Sequence, residues 1–303
     1  MKIPANQNNG GPVLARRGLI QCMLGGIALM GCASRALVED VFSALERSTG
    51  AEIGLAAIDI RTGRTISHRG DQRFAMCSTF KWLLGAFLLQ RADRELGDMG
   101  RRLTFNQSDL VYHSPVTRDH LGEAGMSIAE LCEATIQTSD NTAANLLLEE
   151  LGGPSGFTDL VREAGDPVTR LDRLEPFLNE NAPGDVRDTT TPVAMATLMQ
   201  NYLFGSALSD QSRELLRAWM IGANTGLDRL RAGFPEGWAG GDKTGTSSNR
   251  ANNDVAFAIP PVGSGTAPII IVSLTNVAEP ISVDANALHA RIARKVFESL
   301  VLS

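Results

Sequence analysis

The sequence predicts an α/β fold of the α+β type, in which an antiparallel sheet of about five strands is flanked by helices and an all-α domain is inserted. Strand patterns occur only towards the two ends of the chain, whereas the middle, about 78–223, has mostly helical periodicity. The 303 residues are 43% hydrophobic and 20% charged, enough for a sizeable core. We expect residues 35–69 and 224–303 to form the α/β domain and residues 70–223 the all-α domain, with the functional site between them.

The first part of the sheet follows an N-terminal helix. Residues 36–49 place five apolar side chains on one helical face: Leu37, Val38, Val41, Phe42 and Leu45. Glu52 to Ile60 and Thr65 to His68 have strand patterns. Arg61-Thr62-Gly63-Arg64 between them suits a turn, so this segment is predicted to be a β-hairpin.

The C-terminal end supplies the remaining strands. Apolar residues alternate at Val255, Phe257 and Ile259, and Ile269 to Leu274 is a short run rich in β-branched residues. Ala287 to Leu300 has the pattern of a closing amphipathic helix. In the middle of the chain, Arg170 to Thr191 is long, aperiodic and rich in Asp and Pro, and so long a loop in a compact domain is usually functional.

Composition excludes several classes of function. The formal net charge is −6, with 28 Lys and Arg against 34 Asp and Glu and no basic run, so no nucleic-acid partner is expected. The four histidines are His68, His113, His120 and His289, and they lack a metal-ligand spacing such as H-E-x-x-H. We therefore expect neither a metal nor another cofactor.

The first 32 residues have the features of an export signal. Lys2, Arg16 and Arg17 precede an apolar stretch of 12 residues, Leu19 to Met30, which is too short to span a bilayer. The adjacent arginines resemble a twin-arginine signal, with ordinary Sec export as the alternative. Leu29-Met30-Gly31-Cys32 also resembles a lipobox. The mature chain is expected to be periplasmic, either free or anchored by a lipid on Cys32.

Lysine is scarce in this chain, with four lysines against 24 arginines. A buried lysine can lose its proton and act as a base, whereas arginine stays protonated. A lysine retained in such a chain therefore indicates a chemical role that arginine could not fill. The alternative is codon bias, which would leave some lysines at random positions.

The first candidate motif is Ser78-Thr79-Phe80-Lys81 at the start of an apolar helical stretch. Residues three apart share one helix face, so Ser78 and Lys81 would lie side by side at a helix N-terminus that favours developing negative charge. A desolvated lysine there can accept the serine proton. The alternative is a helix cap followed by a lysine whose amine reaches solvent.

The second motif is Ser139-Asp140-Asn141. Ser139 would relay a proton and Asn141 would hold a substrate amide. The alternative is that Ser139 simply caps the helix that continues through Leu148.

The third motif is Lys243-Thr244-Gly245, followed by Thr246. Glycine at a strand edge lets a ligand approach the backbone, Lys243 and Thr244 would bind a carboxylate, and the Thr246 N–H would face an oxyanion. The alternative is a polar turn leading into a strand.

Together the motifs occur in the order S-x-x-K, S-D-N, K-T-G, the signature of penicillin-recognising serine enzymes. A fourth motif, Arg173 to Asn179 (R-L-E-P-F-L-N), lies in the long loop. With it, the chain resembles the class A serine β-lactamases over essentially the whole mature length. The resemblance also includes Cys77 to Lys81, Ser114 to Thr117 and Arg187 to Pro192.

This resemblance implies hydrolysis of penicillins and cephalosporins, and hence antibiotic resistance, through an acyl-enzyme on Ser78 that Glu175-activated water releases. The base for acylation is either Lys81 or Glu175 acting through water. The N–H groups of Ser78 and Thr246 would form the oxyanion hole, and Ser139 would relay a proton. Substrate contacts are implied for seven residues: His113, Asn141, Asn179, Lys243, Thr244, Gly245 and Thr246. An omega loop at about 170–188, an Arg173–Asp188 ion pair that closes it, and a cis Glu175–Pro176 bond are also implied.

The chain departs from the family at several positions. Cysteines that often pair with those matching Cys77 and Cys132 are replaced by Ser247 and Gly85, so neither disulfide is expected. Asn252 stands where many members have an arginine that supports the substrate carboxylate. Some relatives supply this guanidinium from the segment that matches Gly226 to Arg231. We expect Arg229 to do so here, with Arg250 as the alternative.

Two other functions stay open at this point. A penicillin-binding D,D-peptidase shares the first three motifs but lacks the water-activating group that Glu175 would supply. A non-hydrolytic β-lactam receptor domain normally carries a membrane sensor, and no transmembrane pattern follows the signal segment. The expected partners are β-lactam substrates and mechanism-based inhibitors, and the chain is expected to be a monomer.

Overall fold

The computed structural model describes residues 1–2, 41–180, 182–248, 250–277 and 284–301. Residues 3–32 of the predicted signal segment, with Arg16, Arg17 and Cys32, lie outside these residues, as does the start of the first predicted helix. None of the helices within these ranges is long and apolar enough to cross a membrane.

Five antiparallel strands form the central sheet, as predicted. In chain order the strands are β1 (Glu52–Asp59), β2 (Thr65–His68), β3 (Phe74–Ala75), β4 (Arg102–Phe105), β5 (Gly122–Ser127), β6 (Thr189–Thr190), β7 (Ala239–Thr246), β8 (Ala251–Ile259) and β9 (Ile269–Asn276). The central sheet has the order β2-β1-β9-β8-β7, and β3–β6 and β4–β5 form two small sheets. The sheet therefore combines both ends of the chain, with β7 at its edge.

The helices are α1 (residues 41–49), α2 (Lys81–Asp93), α3 (Ile128–Gln137), α4 (Asn141–Glu150), α5 (Gly153–Glu163), α6 (Pro192–Leu203), α7 (Asp210–Ile221) and α8 (Ala285–Leu300). Helix α2 is buried from Lys81 to Leu89, as its apolar sequence predicts. The predicted hairpin and the closing helix are confirmed, with bounds that shift by a residue or two.

The central sheet is buried on both faces. On β8, Val255 and Phe257 join the larger apolar cluster, which contains most of the buried apolar side chains of α2 to α7. Ala256 and Ala258 face a second cluster that includes Phe42 of α1 and Ile292 of α8. Residues alternate between the two faces because successive strand side chains point in opposite directions. The division into an α/β and an all-α domain stays a prediction, since the described chain from residue 41 onward packs as one compact unit.

Candidate active site

A short 3-10 turn, Cys77–Phe80, presents Ser78 immediately before α2 begins at Lys81. The Ser78 hydroxyl donates a hydrogen bond to Oε1 of Glu175 at 3.1 Å. No side chain caps α2, so the capping interpretation of Ser78 is wrong. The hydroxyl is instead directed at a carboxylate that lies 97 residues away in the chain.

Lys81 is fully buried between three segments of the site. Its Nζ lies 2.9 Å from Oε1 of Glu175 and donates to the Ser139 carbonyl at 2.9 Å and to Oδ1 of Asn141 at 2.5 Å. The alternative of a lysine that reaches solvent is therefore wrong. Burial lowers the pKa of Lys81, and the negative charge of Glu175 opposes this shift. The amine is thus a candidate for proton transfer.

Ser139 lies between the two motif lysines. Its Oγ accepts a hydrogen bond from Nζ of Lys243 at 3.1 Å and a longer one from Lys81 at 3.4 Å. Ser139 does not cap α4, because Asp140 is the N-cap residue and accepts from the N–H of Ala143. Ser139 has a positive φ of 62°, an unusual conformation for a residue other than glycine. In this conformation the Ser139 hydroxyl lies between the amines of Lys81 and Lys243.

The Lys243-Thr244-Gly245 motif lies in strand β7, at the edge of the sheet, and is not a turn. Lys243 is fully buried and also donates to the Thr244 carbonyl at 2.9 Å. Burial, and then the neighbouring charge of Lys81, lowers the pKa of Lys243 to about 7. A Cβ atom on Gly245 would lie 2.5 Å from the Met76 carbonyl and 3.1 Å from the Ser78 nitrogen. Glycine therefore lets β7 approach the backbone of the Ser78 turn.

The long loop brings Glu175 into the site. Nδ2 of Asn179 donates to Oε2 of Glu175 at 2.6 Å, and the Glu175–Pro176 bond is cis, as the resemblance implies. The implied ion pair is also present, with 2.6 Å between Nε of Arg173 and Oδ2 of Asp188. Asp188 is buried and accepts from the Arg173 N–H as well, which ties the two ends of the loop together.

The site opens into a cavity of about 430 Å³. Nine of the predicted residues line it: Ser78, His113, Ser139, Asn141, Asn179, Arg229, Thr244, Gly245 and Thr246. Lys81, Glu175 and Lys243 lie beneath the surface in contact with these residues. Nε2 of His113 lies 3.0 Å from the Thr138 carbonyl, at the mouth of the cavity.

Arg229 lines the cavity next to the end of strand β7. Its Nη2 donates to Oγ1 of Thr246 at 2.9 Å, and its Nη1 donates to the Asn253 carbonyl at 2.7 Å. Nε donates to Oδ1 of Asn286 at 3.0 Å. The alternative, Arg250, does not belong to the described lining of the cavity. Position thus favours Arg229 as the source of the guanidinium.

Sequence reasoning missed four residues of the site, one of which is Ser248 in the lining of the cavity. Asn145 donates to the Glu175 carbonyl at 3.0 Å and accepts from its N–H at 2.9 Å, so it holds the backbone of Glu175. Asn145 follows Asn141 by four residues on α4, and residues at this spacing share a helix face. The spacing could therefore have indicated that Asn145 faces the site. Thr225 lines the cavity with its Oγ1 2.7 Å from that of Thr244, and Tyr112 lies beside His113. No local pattern distinguishes Thr225 or Tyr112.

Among the described residues, neither a disulfide nor a cluster of metal ligands adds to this site. Cys77 and Cys132 are buried free thiols, and burial raises the pKa of Cys77 to about 12. Gly85 packs next to Cys132, since a Cβ atom on Gly85 would lie 3.9 Å from that of Cys132. No cluster of His, Cys, Asp and Glu within the described ranges is arranged to hold a metal ion.

Comparison with known proteins places this geometry in one family. Residues 36–300 match the model of the beta-lactamase enzyme family. The chain is 44% identical to the beta-lactamase FAR-1 of Nocardia farcinica over 259 residues, which cover 86% of this chain and 82% of that one. It is 47% identical to the beta-lactamase L2 of Stenotrophomonas maltophilia over 222 residues, 73% of each chain. An ancestral class A beta-lactamase structure matches with a TM-score of 0.82 and 50% identity, over 87% of this chain and all of that one.

Proposed function

Since this chain belongs to the class A β-lactamases and is a β-lactam hydrolase, we propose that Ser78 is its nucleophile and that Glu175 activates the water that releases the acyl group. One observation carries the proposal: a single carboxylate oxygen of Glu175 contacts both the Ser78 hydroxyl and the Lys81 amine. A D,D-peptidase or a receptor would be acylated by nitrocefin slowly or once, whereas this enzyme should show fast multiple turnover. Stoichiometric colour release alone would contradict the proposal.

Acylation begins when Ser78 loses its proton to Lys81 or to Glu175 and forms a bond to the lactam carbonyl carbon. The N–H groups of Ser78 and Thr246 would stabilise the oxyanion, because Gly245 lets the two backbone segments lie side by side. The C–N bond of the ring then breaks. Ser139 passes its proton to the departing nitrogen and takes up, by way of Lys81, the proton that Ser78 lost.

Deacylation uses the Glu175 carboxylate as a general base. Glu175 takes a proton from a water molecule as the water oxygen forms a bond to the ester carbonyl carbon. The bond between this carbon and Oγ of Ser78 then breaks, and the proton passes from Glu175 to Oγ, which restores the Ser78 hydroxyl. Asn179 and Asn145 hold the Glu175 side chain and backbone, respectively, so the base is preorganised. Oδ1 of Asn141 contacts Lys81. The side-chain amide group of Asn141 would also bind the substrate amide.

The substrate carboxylate would bind at the end of β7. Lys243 supplies positive charge, and the Thr244 and Thr246 hydroxyls line the same part of the cavity. Arg229 donates to the Thr246 hydroxyl and completes this binding region. We call Arg229, Lys243, Thr244 and Thr246 together the carboxylate corner. His113 would form a wall at the entrance.

Replacing Arg229 by alanine should raise KM for a penicillin roughly tenfold, because a charge-assisted contact to the carboxylate is lost. Inactivation by clavulanate should weaken in parallel. Arg250→Ala is the matched control, since it removes an arginine near β8 that does not line the cavity, and it should change neither value. Steady-state kinetics on folded variants decide the assignment. Unchanged values in Arg229→Ala would discard it.

The pKa of Lys243, about 7, predicts a pH effect on substrate capture. Only the ammonium form attracts a carboxylate, so kcat/KM for a penicillin should fall as pH rises through this value. A base role for Lys81 gives the opposite slope, because a base must lose its proton first. Lys243→Arg should move the alkaline fall to higher pH, since arginine stays protonated. The surface variant Lys295→Arg should leave the profile unchanged, and an unmoved profile in Lys243→Arg would refute the assignment.

Export fits the family, and we propose that residues 1–32 direct it, with Cys32 as the site of a lipid anchor. Residues 3–32 lie outside the described structure, so the support comes from the sequence pattern. Fractionation of cells that express the full chain tests this, with Cys32→Ala expected to move activity from the membrane to the soluble periplasm. We also propose that the mature enzyme acts as a monomer. Its molecular mass in solution, measured by analytical ultracentrifugation, would test this.

A further inference from the structure

One buried side-chain amide joins strand β8 to the segment that precedes the proposed nucleophile, and the mechanism above does not use it. Asn253 is fully buried and lies directly opposite Gly245 in the pairing of β7 with β8. Its Nδ2 donates to the Ala75 carbonyl at 2.8 Å and to the Met76 carbonyl at 3.2 Å. Its Oδ1 accepts from the Thr275 N–H at 3.0 Å. All three contacts are therefore with the main chain.

These contacts require an amide at position 253. The two carbonyl oxygens can only accept hydrogen bonds and the Thr275 N–H can only donate, so the side chain must carry two donors and an acceptor. Aspartate has nearly the same shape but would direct an oxygen at the two carbonyls. On the opposite strand, a Cβ atom on Gly245 would lie 2.5 Å from the Met76 carbonyl. Gly245 thus leaves room for this segment, and Asn253 supplies the donors that hold it.

The segment that Asn253 holds leads directly into Ser78. Cys77, between Met76 and Ser78, has a positive φ of 47°. Such a conformation is unusual for a residue other than glycine and persists only where its surroundings fix it. The Met76 N–H donates to the Asp188 carbonyl at 2.9 Å, while the Met76 carbonyl accepts from Asn253. The omega loop and strand β8 therefore both restrain the peptide group on which the direction of the Ser78 N–H depends.

We propose that Asn253 is a positioning residue for the reaction, whose side chain sets the Ser78 N–H at the separation from the Thr246 N–H that the oxyanion requires. The proposal rests on the oxyanion hole proposed above. Donors of this kind must already point at the developing charge, so a small displacement of one of them lowers the rate. The backbone of Asn253 serves the carboxylate corner as well, since its carbonyl accepts from Nη1 of Arg229 at 2.7 Å. Side-chain substitutions keep this carbonyl, so they should weaken turnover and spare substrate binding.

Replacing Asn253 by aspartate, and separately by alanine, tests the side chain in an enzyme that keeps Glu175. For nitrocefin, kcat should fall by about 10²-fold, because acylation and deacylation both pass through an oxyanion. KM should stay nearly unchanged, since both steps slow together. Asn276→Ala is the matched control, because it removes an amide of the same sheet whose Nδ2 donates to Oε2 of Glu52 at 2.8 Å. This control should change neither value.

Unchanged kcat in the folded Asn253 variants, or an effect confined to KM, would overturn the proposal. Thermal unfolding establishes that each variant is folded at the assay temperature. If neither Asn253 variant folds, the amide serves stability and the positioning role is discarded.

Infrared spectroscopy of the acyl-enzyme supplies a readout that lower stability alone would not move. A penicillin with an isotopic label at the lactam carbonyl isolates the ester band in a difference spectrum, and hydrogen bonds to the ester oxygen lower the frequency of this band. In Glu175→Gln, a further Asn253→Asp substitution should raise the frequency, whereas a further Asn276→Ala substitution should not. An unmoved band would contradict the positioning role. A Glu175→Gln enzyme without any adduct would instead count against the proposed function, and the kinetics with Glu175 intact would still decide the role of Asn253.

Discussion

Replacing Glu175 by glutamine should leave a folded enzyme that is acylated at Ser78 and then fails to turn over. Glutamine has nearly the same shape and can keep the contact with Asn179, but it cannot accept a proton from water. General-base catalysis contributes about 10²–10⁴-fold, so deacylation should slow by that factor. Intact-protein mass spectrometry after mixing with a penicillin should show an adduct that persists for minutes. We expect the adduct to form because Lys81 remains beside Ser78 as an alternative base.

Glu180→Gln is the control for that experiment. Glu180 lies in the same loop, is largely exposed and pairs with Arg173, so its loss should leave turnover unchanged. Wild-type turnover in Glu175→Gln would remove Glu175 from the mechanism and reopen the peptidase interpretation. If a folded Glu175→Gln protein forms no adduct, Glu175 is itself essential for acylation and Lys81 is not an independent base.

Replacing Lys81 by methionine should affect both chemistry and stability. Acylation should slow by about 10²–10⁴-fold if Lys81 is the base, which quenched-flow measurement of the acyl-enzyme would show. Both partners of the Lys81–Glu175 ion pair have fully buried side chains. Removing one partner of a buried pair strands the other charge, at a cost of about 3–5 kcal/mol in the free energy of unfolding.

The double variant Lys81→Met with Glu175→Gln separates these effects. Neither charge remains, so most of the lost stability should return in thermal unfolding, although activity should not. Lys295→Met, a change to a half-exposed surface lysine, is the control and should alter neither property. Acylation at the wild-type rate in Lys81→Met would assign the proton transfer to Glu175. A double variant less stable than Lys81→Met would show that the pair is not the source of the stability change.

Much of the fold and of the chemistry could be predicted because it depends on local periodicity and residue type. The hairpin of β1 and β2, the buried helix α2 and the closing helix α8 follow from strand alternation and helical spacing. Ser78 and Lys81 are three residues apart, so a single helical turn is enough to bring them close together. The order of the motifs indicated the family, which the comparisons confirm.

The tertiary structure decided which of the open interpretations were correct. Asp140, and not Ser139, caps α4, and Lys243 lies in an edge strand instead of a turn. Ser139 meets Lys243 across 104 residues, a contact that no local pattern encodes. The same holds for Thr225 beside Thr244, which only the packing of a loop on the end of β7 brings together.

The sequence alone determined which groups are present: one serine with a lysine on the same helix face, a carboxylate in a long loop, and few lysines among many arginines. Only the tertiary structure determined their environment. Burial changes the pKa of Lys81 and Lys243 and leaves Asp242 and Asp254 each with an unpartnered oxygen, because desolvation depends on everything packed around a group. Residue type and spacing are local properties of the chain, whereas solvent exclusion and the charges of distant segments arise only when the whole chain has folded.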